Sequence, residues 1–467
     1  MEKEVTFKEA CSLLIMVLLT IGFSIIGFNL PAHVGILGAI FILVLFMIYK
    51  KMTWDDLHEG IISGIKPGLI PIILFILIGS LISIWIASGT IPTIMVYGFS
   101  FLHPSFFLGA VFLICGIVGA AVGSSFTTVS TIGIAFIGMG QMMGFSLPLI
   151  AGAIVSGAFL GNVVSPLSDT ANLAAATANI DIFTHLKNEL KTTLPAAVVS
   201  LLFFTFMSRS GNGNAHLSEI NVLNDVLKES FAITPIMLLP VILLFVCAWK
   251  KIPAIPSLLF NIVFSLILLK VYQPGTTISE MGAWIQDGYV AATGNEVIDT
   301  LLSRGGIQSM MWSVSLILLA LSLGGLLIKT HVIDIILKQM ESSLNTPVKL
   351  IVATALTAIG VNILIGEQYL SIILPGEAYK GSFKKQNIPL TYLSRTLCDA
   401  GSTINPLVPW GVSAVFISSA LGVATLEYLP FAVFCYTLPL LSIIFSFFIK
   451  TGEKTKGRKQ RGEKNEN

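Results

Sequence analysis

Apolar runs as long as a bilayer is thick recur from one end of this chain to the other. Ala10–Phe28, Val34–Tyr49, Leu69–Ala87, Ala254–Leu269 and Met310–Ile328 approach or reach the roughly 20 residues that cross hydrocarbon as a helix. Backbone polar groups find no water there, so each run must bond its own N–H and C=O groups. The expected fold class is an all-α polytopic membrane protein. Composition agrees: of 467 residues, 54% are apolar and 11% charged, with mean hydropathy +0.88, which no soluble core explains. The first run lacks a small-residue cleavage site and many more follow, so it reads as a retained span and not a signal peptide. The five cysteines (Cys11, Cys115, Cys247, Cys398, Cys435) form no C-x-x-C pair, and neither disulfide nor metal roles are expected of them. A net charge of +2 points to no nucleic acid, because the charges sort by membrane side.

Two of the long runs are interrupted, and in nearly the same words. Gly161-Asn162-Val163-Val164-Ser165-Pro166-Leu167 returns 240 residues later as Gly401-Ser402-Thr403-Ile404-Asn405-Pro406-Leu407. A glycine, a hydroxyl or amide, and a proline break a helix and free backbone carbonyls. At membrane depth such a break survives only inside protein or beside a wet cavity. Matching breaks in two halves point to the binding site of a secondary transporter. The repeat runs further, with Pro148 and Pro389, and Gly119 and Gly360, each 241 apart.

Each half therefore reads as two spans, an amphipathic connector, a third span, a short surface helix, a re-entrant hairpin, the broken span and a final span. The halves are 1–229 and 230–450, followed by a basic cytoplasmic tail, 451–467. The hairpins fall at 104–145, with its tip at Gly123–Thr128, and at 347–387, with its tip at Ile365–Tyr369. The broken helices fall at 147–179 and 389–420. Each hairpin arm could instead be a full crossing; two polar tips favour hairpins. Five crossings per half, an odd number, make the repeat inverted. Starting with the amino terminus inside, Lys50-Lys51, Lys187, Lys191, Lys250-Lys251, Lys329, Lys338, Lys349, Lys384-Lys385 and the tail fall on the cytoplasmic side. The connectors 210–229 and 272–306, placed outside, are mainly acidic. That obeys the positive-inside rule and puts both termini in the cytoplasm.

Ionisable groups at membrane depth are expensive and default to functional roles. They are Asp169, Glu367, Glu377, Arg395 and Asp399. Asp169 directly follows the first break, in Ser165-Pro166-Leu167-Ser168-Asp169-Thr170-Ala171-Asn172. A hard cation such as Na+ takes oxygen ligands, which Asn162, Ser165, Ser168, Asn172 and the freed carbonyls supply around that carboxylate. A partly desolvated carboxylate holds a proton or a Na+ but not both, the simplest basis for antiport. Ser168 and Asp169 could also simply cap the second half-helix, and capping and coordination are compatible. Ser124, Ser125, Thr127 and Thr128 at the first tip offer further oxygens, or serve as small residues easing helix packing. Glu367 and Gln368 hold the equivalent tip in the second half, and Thr403 and Asn405 the second break. Arg395 and Asp399, four apart on one helix, can form a structural ion pair; a free Arg395 is the one cation placed to hold an organic anion. Trp410 reads as packing. The six histidines fall toward predicted ends and loops without ligand spacing. No P-loop, GxSxG or metal-hydrolase motif appears, so neither an ATP-driven pump nor an enzyme is expected.

The Ser165–Thr170 segment with Asn172, the Gly/Ser/Thr-rich tip Gly123–Thr131, and Asn405-Pro406-Leu407-Val408-Pro409-Trp410 resemble the NhaC-type Na+/H+ antiporters over nearly the whole chain. The resemblance implies inverted repeats, re-entrant hairpins, an elevator-like movement and a homodimer in the lipid bilayer. The partners it implies are transported Na+ and H+, with no cofactor. Some relatives exchange malate for lactate with Na+ and H+, which keeps a carboxylate exchanger as the alternative. Ala171 departs from the family pattern, where threonine is common, and bears on ion preference. The expected function is Na+ export against entering protons in a cell membrane, with Li+ as an alternative cargo.

Overall fold

The computed structural model describes residues 5–210, 217–341 and 344–448, and among these there are helices and no strand. Among the described residues, nine helices are long and apolar enough to cross a membrane, or up to twelve if each of three bent pairs is one span. The chain opens with α1 (Phe7–Gly22) and α2 (Ala32–Tyr49). Then α3 (Trp54–Ile65) and α4 (Leu69–Ala87) run on as a single 34-residue rod. The connector expected to separate two spans is thus continuous with the third. The cause is local: Pro67 sits at the start of a single 3-10 turn, Lys66–Gly68, where its ring costs no helical bond.

α5 (Thr90–Phe101) was expected at the surface but is buried. Its Ile91, Met95 and Val96 are at most 4% exposed, because they pack against the hairpin that follows. That hairpin is α6 (Phe107–Val122), then α7 (Ser125–Thr128) and α8 (Ile134–Met142), joined by one π turn. Its tip is shorter than the six residues expected. Gly123 takes a left-handed φ of 75°, and Ser124 already caps the returning arm. Next come α9 (Leu147–Val164), the break, α10 (Asp169–Thr177) and α11 (Ile182–Ser210).

The second half of the chain follows. It has α12 (Leu217–Ser230), α13 (Leu239–Trp249), α14 (Ala254–Tyr272), the amphipathic α15 (Ile278–Asp287), α16 (Glu296–Leu302) and α17 (Ile307–Lys329). α18 (Val332–Glu341) precedes a hairpin of α19 (Pro347–Ile365) and α20 (Gln368–Lys385). The second broken helix is α21 (Leu390–Leu397), a π turn and a 3-10 turn, then α22 (Val412–Leu421) after a 45° bend. α23 (Thr425–Tyr428) and α24 (Val433–Ser446) close the described chain. The tail 451–467 and part of the connector 210–229 lie outside the described residues.

Small residues set how closely these helices approach, as membrane helices require. A Cβ on Gly161 would stand 2.4 Å from the Gly116 carbonyl oxygen, and one on Gly157 would stand 2.3 Å from that of Phe112. The first hairpin arm and the first broken helix therefore meet backbone to backbone. The α3–α17 crossing is equally close, with Gly64 facing Gly325. Polar staples fix the remaining spans: Trp85 Nε1 donates to Asn261 Oδ1 at 2.7 Å, and Asn261 Nδ2 to the Pro240 carbonyl at 2.6 Å. Lys329 at the end of α17 reaches Glu59 at 2.7 Å and Asp56 at 3.2 Å on α3.

Candidate functional site

The first break is built by side chains that replace the lost helical bonds. Ser165 ends α9, donates its hydroxyl to the Ala120 carbonyl of the hairpin at 2.7 Å, and accepts from the Leu167 N–H at 3.2 Å. Ser168 caps α10 by accepting from the Ala171 N–H at 3.3 Å. Asn172 Nδ2 donates to the carbonyls of Pro166 and Ser168, at 2.9 and 2.6 Å. Those freed carbonyls are thus already taken. Lys380 closes the other end of the half-helix through the Thr177 carbonyl at 2.8 Å, a cation where the helix dipole favours one.

Within this frame an oxygen-rich knot forms. Asn162 Nδ2 donates to Thr170 Oγ1 at 2.9 Å, Ser168 Oγ donates to Asn162 Oδ1 at 3.1 Å, and the two hydroxyls lie 3.1 Å apart. Ser402 of the second break donates to Thr170 at 3.4 Å, so the two breaks touch here. Asp169, the first residue of α10, is exposed and not partly desolvated as expected. One carboxylate oxygen accepts from the Thr170 N–H at 3.2 Å, and the other from the Tyr369 hydroxyl at the second hairpin tip. The reason for its exposure is a cavity of 470 Å³ lined by Ser124, Ser125, Thr127, Asn162, Asp169, Gln368, Tyr369 and, from the α13–α14 turn, Lys251. Gln368 is 5% exposed and its Oε1 has no hydrogen-bond partner among the described residues. A buried amide oxygen without a donor is costly unless something else fills it.

The hairpin tips are held by their own polar groups. Ser124 accepts from the Thr127 N–H at 3.3 Å, and its carbonyl accepts from the Thr128 hydroxyl at 2.9 Å. Thr128 is buried behind the cavity wall. Glu367 caps α20 by accepting from the Leu370 N–H at 2.8 Å, 1% exposed and outside the wall. Two glycines make the tips fit: a Cβ on Gly123 would strike Leu167 at 2.7 Å, and one on Gly366 the Trp410 carbonyl at 2.9 Å. Each tip rests on the break of its own half.

The second break closes on itself. Asn405 donates to Asn362 Oδ1 and to the Gly366 carbonyl, at 2.9 and 3.0 Å, and accepts from the Ser413 N–H at 2.8 Å. Asn362 donates to the Gly401 carbonyl at 2.8 Å, and Trp410 Nε1 to the Ile363 carbonyl at 2.7 Å. Thr403 turns its hydroxyl back to the Asp399 carbonyl. Asn405 and Trp410 thus bind this bend to the hairpin, while Ser402 reaches the first break instead.

Arg395 and Asp399 form a separate cluster, N–O 4.0 Å apart and at most 2% exposed. With them, fully buried, stand Glu189 and His185 of α11. His185 was expected near a loop, but α11 starts at Ile182 and carries it straight into the protein. Glu377, expected at depth, is exposed on α20. Of the residues singled out in the sequence, Ser124, Ser125, Thr127, Asn162, Asp169 and Gln368 share one cavity. Ser165, Ser168 and Asn172 shape the bend beside it, while Thr403, Asn405, Arg395 and Asp399 do not line it. Sequence reasoning missed Tyr369, Thr170, Lys251, Glu189 and His185. The only signal for the last two was their i, i+4 spacing, and the polar stretch Thr184–Thr193 around them hid it.

The Na+/H+ antiporter family model matches residues 4–181 and 157–449. The chain is 39% identical over 463 residues to the Na+/H+ antiporter NhaC of Alkalihalophilus pseudofirmus, covering 99% of this chain and 100% of that protein. It is also 39% identical to NhaC of Bacillus subtilis, over 96% of this chain and 99% of that one. The malate-2H+/Na+-lactate antiporter of Bacillus subtilis is 34% identical, with 93% of each chain covered.

Proposed function

Since this chain belongs to the Na+/H+ antiporter family, we propose that it is a secondary transporter that exports Na+ across a cell membrane in exchange for protons. The observation that carries this reading is the cavity lined both by the exposed Asp169 and by Gln368, whose buried Oε1 has no partner among the described residues. A hard cation needs several oxygens and at least one negative charge. Asp169, Gln368, the Asn162 amide and the hydroxyls of Ser124 and Thr127 provide both. A proton on Asp169 removes the charge that holds Na+, so the two ions exclude each other and each drives the other's release.

The architecture we propose is two five-span inverted halves, 1–229 and 230–450, each with a re-entrant hairpin whose tip rests on a broken helix. Both termini then face the cytoplasm. Lys251 in the cavity wall belongs to the lysine-rich side, so the positive-inside rule makes this the cytoplasm-facing state. Movement as an elevator and pairing as a homodimer follow from the family resemblance. The cation that the sequence offered a carboxylate exchanger, Arg395, is buried against Asp399 away from the cavity, whose wall carries Lys251 at its α13–α14 turn instead.

In proteoliposomes, an imposed Na+ gradient should drive proton movement, and malate or lactate should neither stimulate it nor be taken up. Absence of Na+-driven proton flux, or saturable Na+-dependent malate uptake, would contradict the assignment.

A further inference from the structure

Away from the cavity, the start of α11 and the end of α21 enclose four ionisable groups that the exchange at Asp169 does not use. Glu189 and Asp399 are fully buried, and Arg395 is 2% exposed. His185 Nδ1 is 3.0 Å from the Ser394 hydroxyl, while its Nε2 stands 3.8 Å from Glu189 Oε2. Thr192 donates to Asp399 Oδ2 at 3.1 Å. The groups facing Glu189 are Asp399, Arg395 and Cys398 from the broken helix and His185 from its own. α24 contributes the Ser442 hydroxyl beside Asp399.

Counting charges and donors gives the same answer. With a neutral His185, one guanidinium offsets one carboxylate, so two ionised carboxylates would leave a net negative charge in a fully buried site, which is prohibitive. Among the described residues no donor reaches either oxygen of Glu189, and Asp399 Oδ1 also lacks one. A proton on Glu189, donated toward Asp399, neutralises the site and supplies both carboxyls at once. Two carboxyls at one site share a proton in this way.

We propose that this shared proton is transported, so that Glu189 and Asp399 form a second proton site and each cycle moves more than one H+ per Na+. The inference rests on the Na+/H+ reading above. Asp399 lies within the π turn Cys398–Ser402 of the second broken helix, and such turns concentrate at functional sites. From that turn Ser402 reaches Thr170, a member of the knot beside Asp169, so a change at the Na+ site is felt by the backbone that carries Asp399. His185, one turn in from the exposed Asp181 and Thr184, stands where an imidazole relay would link Glu189 to water. The balance is simple: Na+ displaces the proton of Asp169, the Glu189 proton travels in the same direction as that one, and net positive charge moves opposite to Na+.

The test is the H+/Na+ ratio from reversal potentials in proteoliposomes, for the unmodified protein and for Glu189→Gln, which keeps the shape of a protonated glutamate. The unmodified protein should give a ratio above one, and Glu189→Gln a ratio of one with Na+ flux retained. Glu189→Asp, which keeps the titratable group, should restore the higher ratio. A ratio of one in the unmodified protein overturns the proposal without any variant, and so does an unchanged ratio in Glu189→Gln. No Na+-driven proton flux at all would instead overturn the antiporter reading itself.

Discussion

At the scale of single residues, the two breaks look alike in sequence and do different work. Around the first, the Asp169 carboxylate and Gln368 line a cavity; around the second, Asn405 and Trp410 are spent on holding the bend to the hairpin and to α22. Gln368→Leu should therefore raise the apparent KM for Na+ roughly tenfold, about 1.4 kcal/mol, with little change in maximal rate, as read by titrating proton flux with Na+. Asn405→Leu should do the reverse. It orphans groups that Asn405 now bonds in the hairpin and in α22, at about 1–3 kcal/mol each, so thermal unfolding in detergent should fall while the KM of surviving protein holds. Asp169, Asn162 and the Ser124–Thr127 oxygens were legible in the sequence because polar residues in an apolar run are conspicuous. Tyr369 and Lys251 were not, because their roles arise only when the second hairpin tip and the α13–α14 turn fold against the first break.

At the scale of elements, close contact between helix backbones positions the site. Gly161 belongs to the repeated motif, and its partner is the first hairpin arm. Gly161→Val should drive α9 from α6 at about 1–3 kcal/mol, lowering both folding yield and transport; exchange and melting temperature unchanged in that variant would contradict the packing account. The connector helices outside the spans carry their own locks. Asp299 accepts from the Thr293 N–H and hydroxyl, both at 2.7 Å, and these bonds hold its carboxyl below the usual range. A carboxyl lowered by folding adds stability above its unfolded value and loses it as pH falls through its folded one. The melting-temperature gap between the unmodified protein and Asp299→Asn should thus be constant near neutrality and close only below the ordinary carboxylate range. Helix boundaries were readable to a few residues from apolar length and proline, as at Pro104 and Pro347. The burial of α5 was not, because its apolar residues could equally face lipid, and only the fold puts α8 beside it.

At the scale of the whole molecule, a helical hairpin followed by a broken helix occurs twice along the chain. Periodic motifs 240 residues apart made that legible. What one chain's sequence did not reveal is that the halves share a single cavity, since the Tyr369–Asp169 and Ser402–Thr170 contacts cross from one half to the other. The proposed topology predicts that a cysteine introduced at Gly294 is labelled from outside intact cells; labelling only in inside-out vesicles would reverse it. Asn214, on the other connector placed outside, lies beyond the described residues. The central claim is that Na+ and H+ compete for one carboxylate at the first break. It is tested most directly by Na+-driven proton flux in proteoliposomes of the unmodified protein and of Asp169→Asn, reconstituted at equal density. Asparagine keeps the size and removes the charge, so flux should fall to the level of protein-free liposomes while the variant inserts normally. Near-normal exchange by Asp169→Asn would contradict the account.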